Sequence, residues 1–286
     1  MMMKLPSNQL EAFYAVAQTR SFTKAAETLH ISQSALSQRI INLEIEIQTP
    51  LFIRDRVSLE LTAVAHELLK YCQFQESFEN EFLGKLKTKS PQELAGIIRV
   101  AGFSSVMRSV ITPSLRNLII KSPNIQLDVQ TKELHELLPL LRNGQSDYII
   151  TDQAADREGI ECLKLGIERN ILIEPQSLSV PNFFLDHDEK DEISRQYLKM
   201  VGKDSSKLRR HFLDDIYGII DGVQSGLGKA VVPLHLISGK KGIVIKNPRK
   251  ALETDVFVLF HKQPFYTQLH RAVIDSLVSV AGNVLK

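Results

Sequence analysis

The sequence predicts an α/β protein led by a small, mainly α-helical unit, and three observations predict it. Residues 21–40, "SFTKAAETLHISQSALSQRI", read as two short helices broken by a tight turn. Residues 62–87 run without proline and without glycine until Gly84. From about residue 95, apolar strand-like segments alternate with helical ones, the pattern of a sheet covered by helices. With 286 residues and 43% hydrophobic content, the chain has material for two or three cores at roughly 100–200 residues per domain.

Composition then removes several classes. Lys and Arg number 35 against 33 Asp and Glu, with six of each sign in residues 1–60. Any affinity for nucleic acid must therefore rest on placement rather than on bulk charge. Cys72 and Cys162 are far apart, form no C-x-x-C pair and have no His at ligand spacing. Two ordinary buried thiols are expected, with no metal. "MMMKLPSNQL" lacks the apolar region of a signal peptide, and no apolar run approaches the roughly 18 residues that span a bilayer. The cytoplasm is the expected compartment, with no membrane partner.

Each element follows in order. Ser7 is the expected N-cap of a first helix, in which Leu10, Phe13, Tyr14 and Ala17 fall at i, i+3, i+4 and i+7. Ser21 caps a second helix, whose Ala25-Ala26 pair lets another helix approach closely and whose apolar face Leu29 closes before a turn at His30-Ile31. Ser32 caps a third, where Leu36, Ile40, Leu43 and Ile47 make one buried stripe and Ser34, Ser37 and Gln38 point elsewhere. Ile41 and Ile45 lie on or near that outward side, so its lower part is expected to pack on another element. This is the size of a helix-turn-helix unit, whose second helix enters the DNA major groove. A hydroxyl can donate to or accept from base edges and a carboxamide can pair bidentately with adenine, and neither repels phosphate. Ser21, Thr23, Ser32, Gln33, Ser34, Ser37, Gln38 and Arg39 are the candidate contacts to double-stranded DNA; a merely solvated polar face is the alternative.

"PLFIRDRVSLELT", residues 50–62, holds two short β-prone pieces around Arg54-Asp55-Arg56. A basic wing of that kind lies along phosphates, with Arg54 and Arg56 as its contacts. From Thr62, Val64, Leu68, Tyr71, Gln75, Phe78, Phe82 and Lys85 are spaced alternately four and three. That heptad seam buries itself most readily on a copy of itself, through Val64, Leu68, Tyr71, Phe78 and Phe82, and a dimer supplies the two-fold symmetry of paired half-sites. A helix packed on its own domain is the alternative. The expected division is 1–61, 62–90 and 91–286, with "KTKSPQELAG" as a polar linker.

In the last part "IIRVA", "IQLDVQ" and "DYIIT" read as strands, separated by a helix from Ser104-Ser105 to about Lys121 and by "LHELLPLLRNG". Such alternation predicts a parallel sheet with right-handed crossovers and ligands at the carboxyl ends of its strands. Similar alternation resumes around Leu163–Glu174 and from Ile216 to Ile245. "GVQSGLGKA" has one residue too many for G-x4-G-K, "GFSSV" lacks the second glycine of a G-x-S-x-G elbow, and no H-E-x-x-H occurs. No enzyme and no cofactor are expected. Ser104 and Ser105 are better explained as donors to a ligand carboxylate at a helix start, or as simple caps.

"LEAFYAVAQTRSFTKAAETLHISQSALSQRIINLE", followed by "PLFIR" and "LT", resembles the LysR-type transcriptional regulators in order and spacing. Ser34 stands where that family often has proline, and Ala65 where a glycine is usual. The resemblance implies a winged helix-turn-helix, a long linker helix and a two-lobed effector domain like a periplasmic solute-binding protein. Lobe I would hold about 95–152 and 254–286, and lobe II about 160–250, with "GVQSGLGKAVVP" as its glycine-rich segment and Gly226 at the effector. It also implies a homodimer or homotetramer that binds DNA and a small molecule, with RNA polymerase as a further partner. "ISQSALSQRI", and less clearly "FLDHDEKDEISRQYL", resemble the branch that senses arginine or lysine, which makes Glu133, Asp152, Asp186 and Asp188 candidate partners for a cation. Two rivals stay open: a regulator acting through partner contacts alone, and an enzyme fused to a winged helix.

Overall fold

The structure is a computed structural model that describes residues 5–54, 59–87, 93–176 and 182–285. Its first unit packs α1 (Ser7–Thr19), α2 (Phe22–Thr28) and α3 (Gln33–Glu46) with a two-stranded wing, β1 (Phe52–Arg54) and β2 (Leu59–Leu61). Phe13, Val16, Leu36, Ile40, Leu43 and Leu51 are wholly buried there, and Phe52 of the wing packs tilted on Phe13 and edge-on to Phe22, with ring centroids 5.7 Å apart in each pair. Ser21 and Ser32 cap as expected, accepting from the amides of Lys24 and Ala35 at 3.3 and 3.1 Å. Ser7 does not: Pro6 is the N-cap residue and Ser7 is the first helical one. Ile41 and Ile45 are 41% and 68% exposed, so among the described residues the lower part of α3 is left open rather than packed on another element as expected.

Helix α4 (Ala63–Lys87) has 25 residues and two apolar faces. Ala65, Leu69 and Cys72, at steps of four and three, close the core of the first unit. Val64, Tyr71, Phe78 and Phe82 face out and are 45–60% exposed. Leu68, expected in the outward seam, is half-buried against the first unit's core, because its position falls between the two faces. Cys72 is buried as expected, and burial pushes its thiol up to about 12; Cys162 is only half-buried.

Beyond the linker, β3 (Ala95–Gly102), β4 (Asn124–Thr131) and β5 (Tyr148–Thr151) pair in parallel in the order β4-β3-β5. They are joined by a helical run, α5 (Ser104–Val106), a π-helical turn (Met107–Ile111) and α6 (Thr112–Lys121), and by α7 (Leu134–Arg142). In the main sheet the expected parallel pairing holds for these strands, and in the second lobe a separate two-stranded pair, Phe184–Asp186 with Arg210–Phe212, is also parallel. The segment around Leu163–Glu174 is one 16-residue strand, β6 (Ile160–Pro175), antiparallel to everything it touches. Its first half pairs with β11 (Leu252–His261) and its second with β9 (Ala230–Pro233) and β10 (Ile243–Lys246).

Strands β6 and β11 therefore run from one lobe into the other and form the hinge. The second lobe adds β7 (Phe184–Asp186), α8 (Ile193–Met200), β8 (Arg210–Phe212), α9 (Ile216–Gln224) and α10 (Leu234–Ile237), and α11 (Gln268–Val284) closes the first lobe. Separate apolar clusters centre on Ile98, Val110 and Val258 in the first lobe and on Ile171, Ile220 and Val232 in the second. No helix among the described residues is long and apolar enough to cross a membrane.

Candidate functional site

The exposed face of α3 carries the first candidate site. Gln33, Ser34 and Gln38 are exposed, as is Ser32, while Ser37 and Arg39 are half-buried. Ser32 Oγ lies 3.0 Å from Ser34 Oγ, Gln33 Nε2 donates to Ser37 Oγ at 3.4 Å and Gln38 Nε2 to Asn42 Oδ1 at 2.9 Å. These amides and hydroxyls meet one another rather than the core. Exchanging such neighbours for base edges costs little, because no buried group is left unpaired. Thr23 is exposed at the start of α2 and Ser21 half-buried. Arg56 lies outside the described residues, as does the side chain of Arg54.

The second candidate site is the junction of the lobes. Ser104 is the first helical residue rather than the cap, which is Phe103 with no side-chain bond. Ser105 is buried and donates to Glu168 Oε1 of the hinge strand β6 at 2.7 Å. The same oxygen meets His235 Nε2 of α10 at 2.9 Å, and His235 Nδ1 lies 2.9 Å from Ser109 Oγ. The π-helical turn aims Arg108 and Ser109 at the other lobe: the Arg108 guanidinium sits 4.3 Å over the Tyr217 ring at the start of α9. Ser109 gives its proton to the Ser105 carbonyl at 2.6 Å, so this serine, histidine and glutamate do not present a nucleophile.

Asp152 follows β5, and its Oδ1 is buried with no partner among the described residues. Burial raises its carboxyl above the usual range and the charge of Glu168 adds to the rise. Two acids thus converge where β5 ends and the hinge passes. At the rim, His187 of lobe II stands among carboxylates, 3.4 Å from Asp214, 3.7 Å from Asp188 and 4.0 Å from Glu133 of lobe I. Glu133 is the N-cap residue of α7, and its amide donates to Glu136 Oε2 at 3.0 Å. Among the described residues, no group of three or more His, Cys, Asp and Glu could hold a metal ion.

Other sequence-derived candidates belong elsewhere. Asp186 is buried inside lobe II, where Ser194 Oγ donates to one of its oxygens at 2.5 Å and Arg210 to the other at 3.1 Å, so its charge is already paired within the lobe. Asp188 accepts from the amides of Lys190 and Asp191 at 2.6 and 2.9 Å and shapes a turn. Gly226, at φ +84°, follows the C-terminus of α9, the end away from Tyr217 and the lobe junction. Its left-handed backbone explains the glycine without a ligand. Glu168, His187 and His235 are not among the sequence-derived candidates, since the contacts that bring them to the junction, to Ser105, to Glu133 and Asp214, and to Glu168 in turn, span tens of residues and lie on no periodic face.

The chain matches the family model described as "Bacterial regulatory helix-turn-helix protein, lysR family" over residues 7–66. It matches the "LysR substrate binding domain" over residues 91–282. It is 22% identical over 285 residues to the HTH-type transcriptional regulator YofA of Bacillus subtilis, covering 96% of this chain and 98% of that one. Its fold is similar to the crystal structure of ArgP from Mycobacterium tuberculosis, at a TM-score of 0.77 and 20% identity over 97% of this chain and 98% of that one. It is also similar to full-length LysG from Corynebacterium glutamicum with bound effector Arg, at 0.73 and 19% over 98% of each. An exposed polar recognition face on a capped helix, a linker helix and a two-lobed domain hinged on antiparallel strands are thus the parts of a known kind of molecule, and the chain belongs to the LysR family of DNA-binding transcriptional regulators.

Proposed function

We propose that this regulator senses a cationic amino acid, arginine or lysine, held between its two lobes. The observation that carries the reading is Asp152: a buried carboxylate oxygen without a partner among the described residues, near a second acid, Glu168. Such an arrangement is costly when empty and is relieved by a desolvated cation that donates hydrogen bonds. Ser104, at the helix start, would meet the ligand's carboxylate, and Asp152 its cationic side chain or amino group. Glu133 and His187 would sit at the mouth. The arginine bound in LysG supports the same chemistry in a protein of similar fold. In this reading the serines and glutamines of α3 face bases, Arg54 and Arg56 face phosphates, and the open face of α4 joins two protomers.

A thermal-shift panel of arginine, lysine, leucine and glutamate tests it, since a ligand that binds only the folded state raises its stability by mass action. Arginine or lysine should raise the unfolding midpoint most. A domain working through protein contacts alone would respond to none of them, and turnover of a bound compound would favour an enzyme.

A further inference from the structure

The lobe I loop Asn143–Asp147, between α7 and β5, touches the amino-terminal unit of the same chain at several points. Arg20, at the C-terminus of α1 with φ 53°, donates one guanidinium nitrogen to the Asn143 side-chain carbonyl and the other to the Leu59 carbonyl of the wing at 3.1 Å. Gln145 Nε2 donates to the Gln18 carbonyl at 2.9 Å, and Gln18 Nε2 lies 3.5 Å from the Gly144 carbonyl. Gly144 has φ +71°, and a β-carbon there would come within 2.9 Å of Gln73 Nε2 on α4. At the loop's end, Asp147 accepts from the Arg99 amide at 3.0 Å. The Arg99 guanidinium clasps Glu76 of α4 at 3.1 and 3.2 Å, and Glu76 accepts from the Tyr14 hydroxyl of α1 at 2.8 Å.

The character of this contact matters as much as its extent. The apolar cluster of the amino-terminal unit contains no residue beyond the linker helix, and those of lobe I contain none from the amino-terminal unit. The two are joined by amides and charges, whose net contribution is small because each replaces a bond to water, which describes an interface that can open. Its position is equally specific. Helix α7 runs from Glu133 at the lobe junction to Asn143, and β5 runs from Asp147 back to Asp152. Each is about 13 Å long, and β5 is buried throughout between β3 and β11. A shift at the cleft end of either element must appear at the loop, since packed interiors transmit displacement.

We propose that the loop Asn143–Asp147 is a seat for the chain's own winged helix, and that through it α7 and β5 report the state of the lobe junction to the wing within one protomer. The seat stands on the contacts alone; the reporting half rests on the amino-acid-sensing reading.

The seat is tested in the full-length protein carrying Cys162→Ser, Gln18→Cys and Gln145→Cys, treated with a short bis-maleimide. Cross-linking within single chains, read as intact mass under denaturing conditions, is expected; dimers only, or no more product than in single-cysteine controls, would overturn it. For the reporting half, hydrogen exchange of Phe52–Leu61 is compared with and without saturating arginine in the parent and in Arg20→Ala, with Asn143→Ala as the milder variant. Loss of the arginine response, with arginine affinity by calorimetry unchanged, is expected. A response that persists in both variants would overturn the reporting half. Calorimetry that detects no arginine binding to the parent would overturn it too, by refuting the sensing reading, and leaves the seat to the cross-link.

Discussion

The recognition face of α3 and the junction of the lobes are built on opposite plans. On α3 the candidate groups are mostly exposed, meet neighbours two to four positions away, and can exchange them without unpairing a buried group. At the junction the side chains of Ser105, Glu168 and His235 are buried and committed to one another, and half-buried Asp152 keeps one buried oxygen without a partner among the described residues. Under the proposed reading, a surface that reads DNA keeps its groups interchangeable, whereas a pocket for a single small molecule fixes them in advance.

The largest effect expected from breaking this contrast lies between the two sites, on α4. Phe78→Glu with Phe82→Glu places charge on the open face while leaving Ala65, Leu69 and Cys72 in their core. Light scattering should report monomers, and binding to a full operator should fall by orders of magnitude, because one protomer reaches one half-site. Parental mass in the double variant would mean that this face does not join protomers. Leu68 is a poorer choice, since it also packs on the amino-terminal core.

On α3, Gln38→Ala should change discrimination among DNA sites by about 1–2 kcal/mol while leaving the fold intact, measured by competition between operator variants. Uniform weakening would make Gln38 a backbone contact. Arg54→Ala with Arg56→Ala should instead weaken all duplexes alike and reduce the salt slope by about one per residue. An unchanged slope would take the wing off the phosphates.

The smallest effect is a pH dependence that the exposed face lacks. Burial pushes the Asp147 carboxyl up to about 6, from an ordinary 3.8. A carboxyl raised on folding contributes stability that is full below its unfolded value and is lost as pH rises through the folded one. Urea midpoints should therefore fall across that window, and Asp147→Asn should flatten the fall. An identical profile in the variant would remove Asp147 as its source.

The same contrast explains what the sequence disclosed. The helices of the amino-terminal unit were legible because caps and periodicity are local: Ser21, Ser32, Leu36, Ile40 and Leu43 need no knowledge of the rest of the chain. Ser7 failed as a cap because Pro6, already extended, takes that place. In the effector part the segment Leu163–Glu174 reads as a return of strand-and-helix alternation; that it is part of one long strand paired antiparallel with β11, more than eighty residues on, carries no local mark. Asp152 stands out as the acid at the end of a strand, and it does lie at the lobe junction, whereas the contacts of Glu168 and His235 there depend on the hinge and carry no local mark. Asp186 misled because an acid in an acidic stretch looks solvated until Arg210 is folded against it.

The measurement that bears most directly on the account is calorimetry of the full-length protein with arginine, lysine, leucine and glutamate, repeated in Asp152→Asn. The cationic amino acids should bind most tightly, and the substitution should cost them about 2 kcal/mol, roughly 30-fold in affinity, by removing the acceptor of a desolvated charge. Tighter binding of leucine or glutamate, or an Asp152→Asn protein that binds arginine as well as its parent, would contradict it.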